Sequence, residues 1–156
     1  MTIKKQSHRW HLYVDGASRH NPGLSGAGVY LLKNDVPVVK QGFFLGIKTN
    51  NQAEYFALLL GVFFAQRHMG PDDILLINAD SELMVKQLIG EYKIKNESLF
   101  KLYTCVKARL EGINYAVRHV MRKDNGVADK LANLGIDKKL PVPQEFYTLC
   151  SAESYE

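Results

Sequence analysis

Four acids in this chain stand where carboxylates can do chemistry: Asp15, Glu54, Asp80 and Asp129. Asp15 ends the apolar run Leu12-Tyr13-Val14, and Asp80 follows the longer run Ile74 to Ala79. Ligands of an open α/β sheet bind outside the carboxyl ends of its parallel strands. If these two runs are parallel neighbours, both carboxylates share one sheet end. Glu54 falls in the first turn of a helical segment, and Asp129 near the start of another. Carboxylates that converge on one spot repel one another and need cations or raised pKa values to persist. Hard divalent ions with oxygen ligands meet that need, and Mg²⁺, which takes few carboxylates and keeps waters, suits an open acidic site. A pair of such ions supports in-line displacement at phosphorus without any protein nucleophile.

Each acid also has an ordinary explanation. Asp favours the turn after a strand. Asn51-Gln52-Ala53-Glu54 reads as a capping box with Glu54 bonding back to the helix start. Asp80 can cap a helix beginning at Ser81. Asp129 can be a solvated helix acid beside Lys130. Their joint occurrence favours chemistry, and no GxSxG, GxxxxGK[ST] or HExxH motif supports a rival reaction.

The elements that must position these acids follow from hydrophobic periodicity. Residues 9–17, 24–33 and 36–46 read as strands joined by NPG and Asn34-Asp35 turn signals, an antiparallel meander. Residues 51–69 switch to helical spacing, with Tyr55, Leu58, Leu59, Val62 and Phe63 on one face, and stop at Gly70-Pro71. Residues 73–79 are apolar enough for a strand buried on both faces. Helices are expected over 81–90, 96–111 and 125–136, and a strand over 113–120. The tail that follows has two prolines and no clear period. This order specifies an α/β fold: a mixed five-stranded sheet, three antiparallel strands and then parallel ones, with helices on both faces.

Composition bounds the rest. A chain of 156 residues forms one domain with a real core. The formal charge of +4 and pI near 9.0 suit a polyanionic partner. The longest apolar run, AEYFALLLGVFFA, is shorter than the roughly 20 residues of a membrane span. The N-terminal MTIKKQSHRW lacks the apolar stretch of a signal peptide. Cys105 and Cys150 fit no metal-ligand spacing and no disulfide framework. A cytoplasmic protein is expected, with no membrane association and no obligatory protein partner.

Four ordered blocks, YVDGASRHNPGLSGAG, TNNQAEYFALLLG, NADSELMVKQLIGEYKIKN and RKDNGVADKLAN, resemble the type 1 ribonuclease H family, from about residue 9 to 137. The resemblance implies a ribonuclease H-like fold, a catalytic domain over 1–137 and a tail over 138–156. It implies metal-dependent endonucleolytic cleavage of the RNA strand of an RNA–DNA hybrid. Asp15, Glu54, Asp80 and Asp129 match the family's catalytic carboxylates, which implies that they hold two Mg²⁺ ions, with Mn²⁺ as an alternative. Asn21, Asn50, Asn51 and Gly16 match substrate-contacting positions. Asn side chains and backbone amides have the donors and acceptors to read a 2′-hydroxyl.

Departures from the family pattern bear on function. The loop MRKDNG, 121–126, is short and lacks the histidine that bacterial members carry there. His119 reads as a strand residue, which leaves Arg122 or Lys123 to help product phosphate leave. Glu82 stands where many members have glutamine. A carboxylate there donates no hydrogen bond, so Glu82 is left either as an altered substrate contact or as an extra metal ligand. The segment EYKIKNESLFKLY offers only Lys93, Lys95 and Lys101 in place of a tryptophan-containing basic protrusion. Hybrid binding is therefore expected to be weaker or differently placed, with a steep salt dependence. The short loop resembles a compact bacterial and archaeal subgroup. Two other readings stay open: a nuclease of the same fold acting on double-stranded RNA or a DNA junction, and a non-catalytic nucleic-acid binding module.

Overall fold

The structure, a computed structural model, describes residues 7–147. Strands β1 (Arg9–Ser18), β2 (Gly23–Lys33) and β3 (Val36–Lys48) form the expected meander. The β2–β3 turn places Asn34 and Asp35 at φ 48° and 70°. That is the left-handed pair a two-residue hairpin loop requires, and Asn and Asp tolerate it. Helix α1 (Asn50–His68) leads to β4 (Ile74–Ala79). Helices α2 (Glu82–Leu88) and α3 (Glu97–Leu110) lead to β5 (Asn114–His119), and a 3₁₀ turn (Arg122–Asn125) leads to α4 (Gly126–Lys138). The sheet order is β3-β2-β1-β4-β5, and β4 pairs in parallel with both β1 and β5.

Two layers of helix cover the sheet. Helix α1 lies on β1 and β2 with α3 behind it, and α4 lies on the opposite face over β2 and β3. Leu12 and Val14 of β1 turn toward α1, against Gly61. One apolar face was expected for α1, yet Ala53, Ala57, Leu60 and Ala65 are buried as fully as Leu58 and Val62. The reason is position: a helix between a sheet and a second helix is apolar nearly all round. Each such leucine contributes about 1.5–3 kcal/mol of burial.

The segment after α4 is not a detached tail as far as residue 147. Phe44 N donates to Leu140 O at 2.7 Å, Val142 is buried, and Phe146 packs edge-on against Phe63 with ring centroids 5.7 Å apart. The rest of FYTLC, Cys150 included, lies outside the described residues. Among the described residues no helix is long and apolar enough to cross a membrane.

Asp73, expected only as the first residue of a strand, fastens that strand's start. Its buried carboxylate accepts from His8 N (2.9 Å), Trp10 Nε1 (2.8 Å) and Gly70 N (2.9 Å). Burial pushes the carboxyl up, but these hydrogen bonds outweigh it and hold the group below the ordinary aspartate range.

Candidate active site

Val14 of β1 sits opposite Ala79 of β4 in parallel register. The next residues, Asp15, still within β1, and Asp80, just beyond β4, therefore stand side by side past the end of that pairing. Helix α1 brings Glu54 to the same spot. Carboxylate oxygens of Asp15, Glu54 and Asp80 lie within 4.8 Å of one another. Asp129, in the first turn of α4, acts on the Asp15 carboxyl from one side and is not itself one of the three.

Local sequence explains why these acids are available. The helix cap is Thr49, not Asn51: Thr49 accepts from Gln52 N, and Gln52 returns a bond to Thr49 N at 2.9 Å. Glu54 is thereby two residues too deep to cap and instead accepts from Gly16 N at 3.0 Å. Ser81, not Asp80, caps α2, accepting from Met84 N at 3.2 Å. Both capping explanations of the acids therefore fail. Gly16 permits the Glu54 contact, since a Cβ there would strike the backbone of Ala53 and Glu54. Gly28, the β2 partner of Asp15, does the same for α4: a Cβ would strike the Ala128 carbonyl.

The electrostatics match a crowded acid cluster. Burial pushes the Asp15 carboxyl up to about 10, helped by the charges of Glu54 and Asp80 and by hydrogen bonds with Glu54 and Asp129. Burial likewise pushes Glu54 up to about 7, opposed by its bonds to Asp15 and Gly16 N and by the Arg122 charge. Glu54 Oε1 holds Gly16 N, while Glu54 Oε2 is buried with no hydrogen-bond partner. The residues thus fit a divalent cation: hard oxygen donors, excess negative charge, and one buried oxygen without a partner.

Around the cluster, Asn21 Oδ1 accepts from Asn50 N at 3.0 Å, tying the β1–β2 turn to the start of α1. The Asn21–Pro22 peptide in that turn is cis. Asn50 and Asn51 are exposed and are not the cap. Glu82 is not drawn into the cluster: it is exposed and pairs with Lys86 at 2.9 Å. Of the two basic loop residues, Arg122 acts on Glu54, whereas Lys123 lines a cleft with Tyr13 and Tyr30. His119 ends β5 as expected, and its Nε2 lies 3.2 Å from the Asp80 carbonyl oxygen.

Two buried asparagines near the acids were not singled out in the sequence. Asn78 donates to Leu12 O and Leu76 O, each at 3.2 Å, and accepts from Arg118 Nε at 2.9 Å. Asn125 donates to Val14 O at 2.9 Å and Asp80 Oδ2 at 3.2 Å. The only signal available was an uncharged polar residue flanking each acidic motif.

Strand order 3-2-1-4-5, with acids leaving the carboxyl ends of the central parallel pair and helices on both faces, defines the ribonuclease H-like class. A family model described as "Reverse transcriptase-like" matches residues 13–135. A ribonuclease HI from Halobacterium salinarum is 40% identical over 131 residues, covering 83% of this chain and 65% of the relative. The crystal structure of RNase H1 from that archaeon superposes with a TM-score of 0.79 at 36% identity, covering 83% of this chain and 98% of the other. LC11-RNase H1, solved in complex with an RNA/DNA hybrid, gives a TM-score of 0.79 at 32% identity, with the same coverages. A bifunctional protein of Mycobacterium tuberculosis is 37% identical over 80% of this chain, but only 34% of its own length. The chain thus spans about two thirds of the halobacterial relative and one third of the mycobacterial one. It belongs to the type 1 ribonuclease H family.

Proposed function

We propose that the protein is an endonuclease that hydrolyses the RNA strand of RNA–DNA hybrids with divalent metal ions, Mg²⁺ by preference, and that it works in the cytoplasm. The observation that carries this is the group Asp15, Glu54 and Asp80, with oxygens within 4.8 Å and one oxygen of Glu54 buried without a partner. These three residues would hold the ions, and Asp129 would complete the set from the α4 side. Bound there, a pair of ions supplies an activated water and neutralises the leaving oxygen.

The chain's own residues do the remaining work. The sheet fixes Asp15 and Asp80 on rigid strands, which gives the placement that in-line attack demands. Asn21, Asn50, Asn51 and the Gly16 backbone would touch the hybrid, since Asn amides can donate to and accept from a 2′-hydroxyl. Arg122, whose charge already reaches Glu54, would steady the product phosphate as it departs. A net charge of +4 supports the approach of a polyanion. The relative solved with an RNA/DNA hybrid favours that substrate over the other nucleic acids.

A substrate panel tests the reading. End-labelled RNA–DNA hybrid, double-stranded RNA, double-stranded DNA and a DNA junction are incubated with Mg²⁺ at one salt concentration. Preferential cutting of the hybrid's RNA strand is expected. Preferential cutting of double-stranded RNA or of the junction would overturn the substrate assignment and leave a nuclease of the same fold. Binding of hybrid without any cutting would point to a non-catalytic module.

A further inference from the structure

Asn125 closes the 3₁₀ turn before α4, in the position of a helix cap, yet its side chain caps nothing. It is 1% exposed. Its amide nitrogen lies 2.9 Å from the carbonyl oxygen of Val14 and 3.2 Å from Oδ2 of Asp80. A primary amide carries two N–H donors, so both bonds form at once. One holds the peptide that leads directly into Asp15, just past the last β1–β4 pair. The other holds the carboxylate at the tip of β4. No backbone rung does this job, because the β1–β4 ladder ends at Val14 and Ala79.

We propose that Asn125 is a positioning residue that sets the separation of Asp15 and Asp80 and commits one oxygen of Asp80, so that the other faces the metal. This inference rests on the metal-dependent reading given above. Residue chemistry supports the amide specifically. An ionised aspartate has no donor and adds another like charge, serine offers a single O–H, and leucine offers nothing. Asn125 Oδ1 is buried without a partner, so the side chain is explained by its N–H groups and not by its carbonyl. A buried carbonyl without a donor is unfavourable, and a site tolerates it only where the other end of the amide is needed. Partners that orient metal ligands from behind commonly govern metal affinity as strongly as activity.

The test measures Mn²⁺ binding by isothermal titration on the full-length wild type, N125A and N125S. Hybrid cleavage is followed in parallel as metal concentration is varied. Removing both donors should weaken Mn²⁺ binding about 10-fold or more. The metal concentration for half-maximal cleavage should rise by the same factor, while the rate at saturating metal changes little. N125S, with one donor, should fall between. A merely structural Asn125 would lower the melting temperature of N125A and leave the affinity of the folded protein unchanged, which overturns the proposal. If N125A does not fold, N125S decides alone, and wild-type affinity in N125S is equally fatal. Wild type that binds Mn²⁺ but cuts no hybrid would overturn the proposed activity alone. Wild type that cuts, alongside unchanged affinity in both variants, would overturn the role of Asn125 alone.

Discussion

Replacing Asp15 by Asn should abolish cleavage and stabilise the metal-free protein. Asp15 is held with its carboxyl raised from 3.8 to about 10, by burial first and then by the neighbouring acids. A carboxyl raised on folding favours the folded state fully below its unfolded value, and that advantage is lost as pH climbs toward the folded value. The window therefore opens near pH 4 and runs through neutrality. At about 1.4 kcal/mol per pH unit, the metal-free wild type forfeits about 4 kcal/mol by pH 7. An Asn of the same shape carries no such loss and can still hydrogen-bond Glu54. We expect Asp15→Asn to be about 2–4 kcal/mol more stable at pH 7 without metal, a melting temperature higher by roughly 5–15 °C. At pH 5 the gain should shrink to about 1–2 kcal/mol. Saturating Mg²⁺ should shrink it too, because ions that bind only the folded wild type stabilise it. Scanning calorimetry at pH 5, 7 and 8, with chelator or Mg²⁺, reads all of this. A variant that is less stable than wild type in chelator at pH 8, or a gain independent of pH, would refute crowding of the acids as the cause and return Asp15 to a strand-end structural role.

Other consequences are equally direct. Gly16→Ala must push the first turn of α1 off β1, so it should cost about 1–3 kcal/mol and raise the metal requirement for cleavage; wild-type melting would contradict it. Asp73→Ala removes the acceptor for His8 N, Trp10 Nε1 and Gly70 N, and should cost about 2–4 kcal/mol in urea denaturation at pH 7. Because that carboxyl is held below its ordinary value, its contribution is present above pH 4 or so and fades as pH falls through the lowered value, so the gap between the two proteins should narrow below pH 4. Arg122→Ala should slow multiple turnover while sparing a single turnover, and equal turnover would end its role in product release. Glu82→Gln should leave Mn²⁺ affinity unchanged, since Glu82 is engaged with Lys86 outside the acid group; weaker binding would make it a ligand.

The strands and the acids at their tips were legible because burial on a sheet leaves strong marks: apolar runs, turn residues between them, an acid where none is needed for solubility. The expected element boundaries fall within two residues of those observed. What stayed hidden depends on partners far away in sequence. The capping alternative for Glu54 stayed open because Asn51 and Thr49 are both competent caps, and only the register of α1 separates them. Asp73 passed for a strand-start residue because its partners include His8 and Trp10, more than sixty residues earlier. Asn125 was only the first residue of an expected helix, because a buried bond to Val14, 111 residues away, has no local signature. Val142 and Phe146 set no period because Val142 packs from irregular chain and Phe146 from the short helical stretch 144–147.

The claim at the centre is that Asp15, Glu54 and Asp80 hold the metal that cuts RNA. Its most direct test is gel-resolved cleavage of an end-labelled RNA–DNA hybrid by wild type and Asp15→Asn, each with Mg²⁺, Mn²⁺ or chelator. Cleavage of the RNA strand alone, by wild type alone, and only with metal present is the result expected. Cleavage by Asp15→Asn at the wild-type rate, or cleavage in chelator, would contradict it.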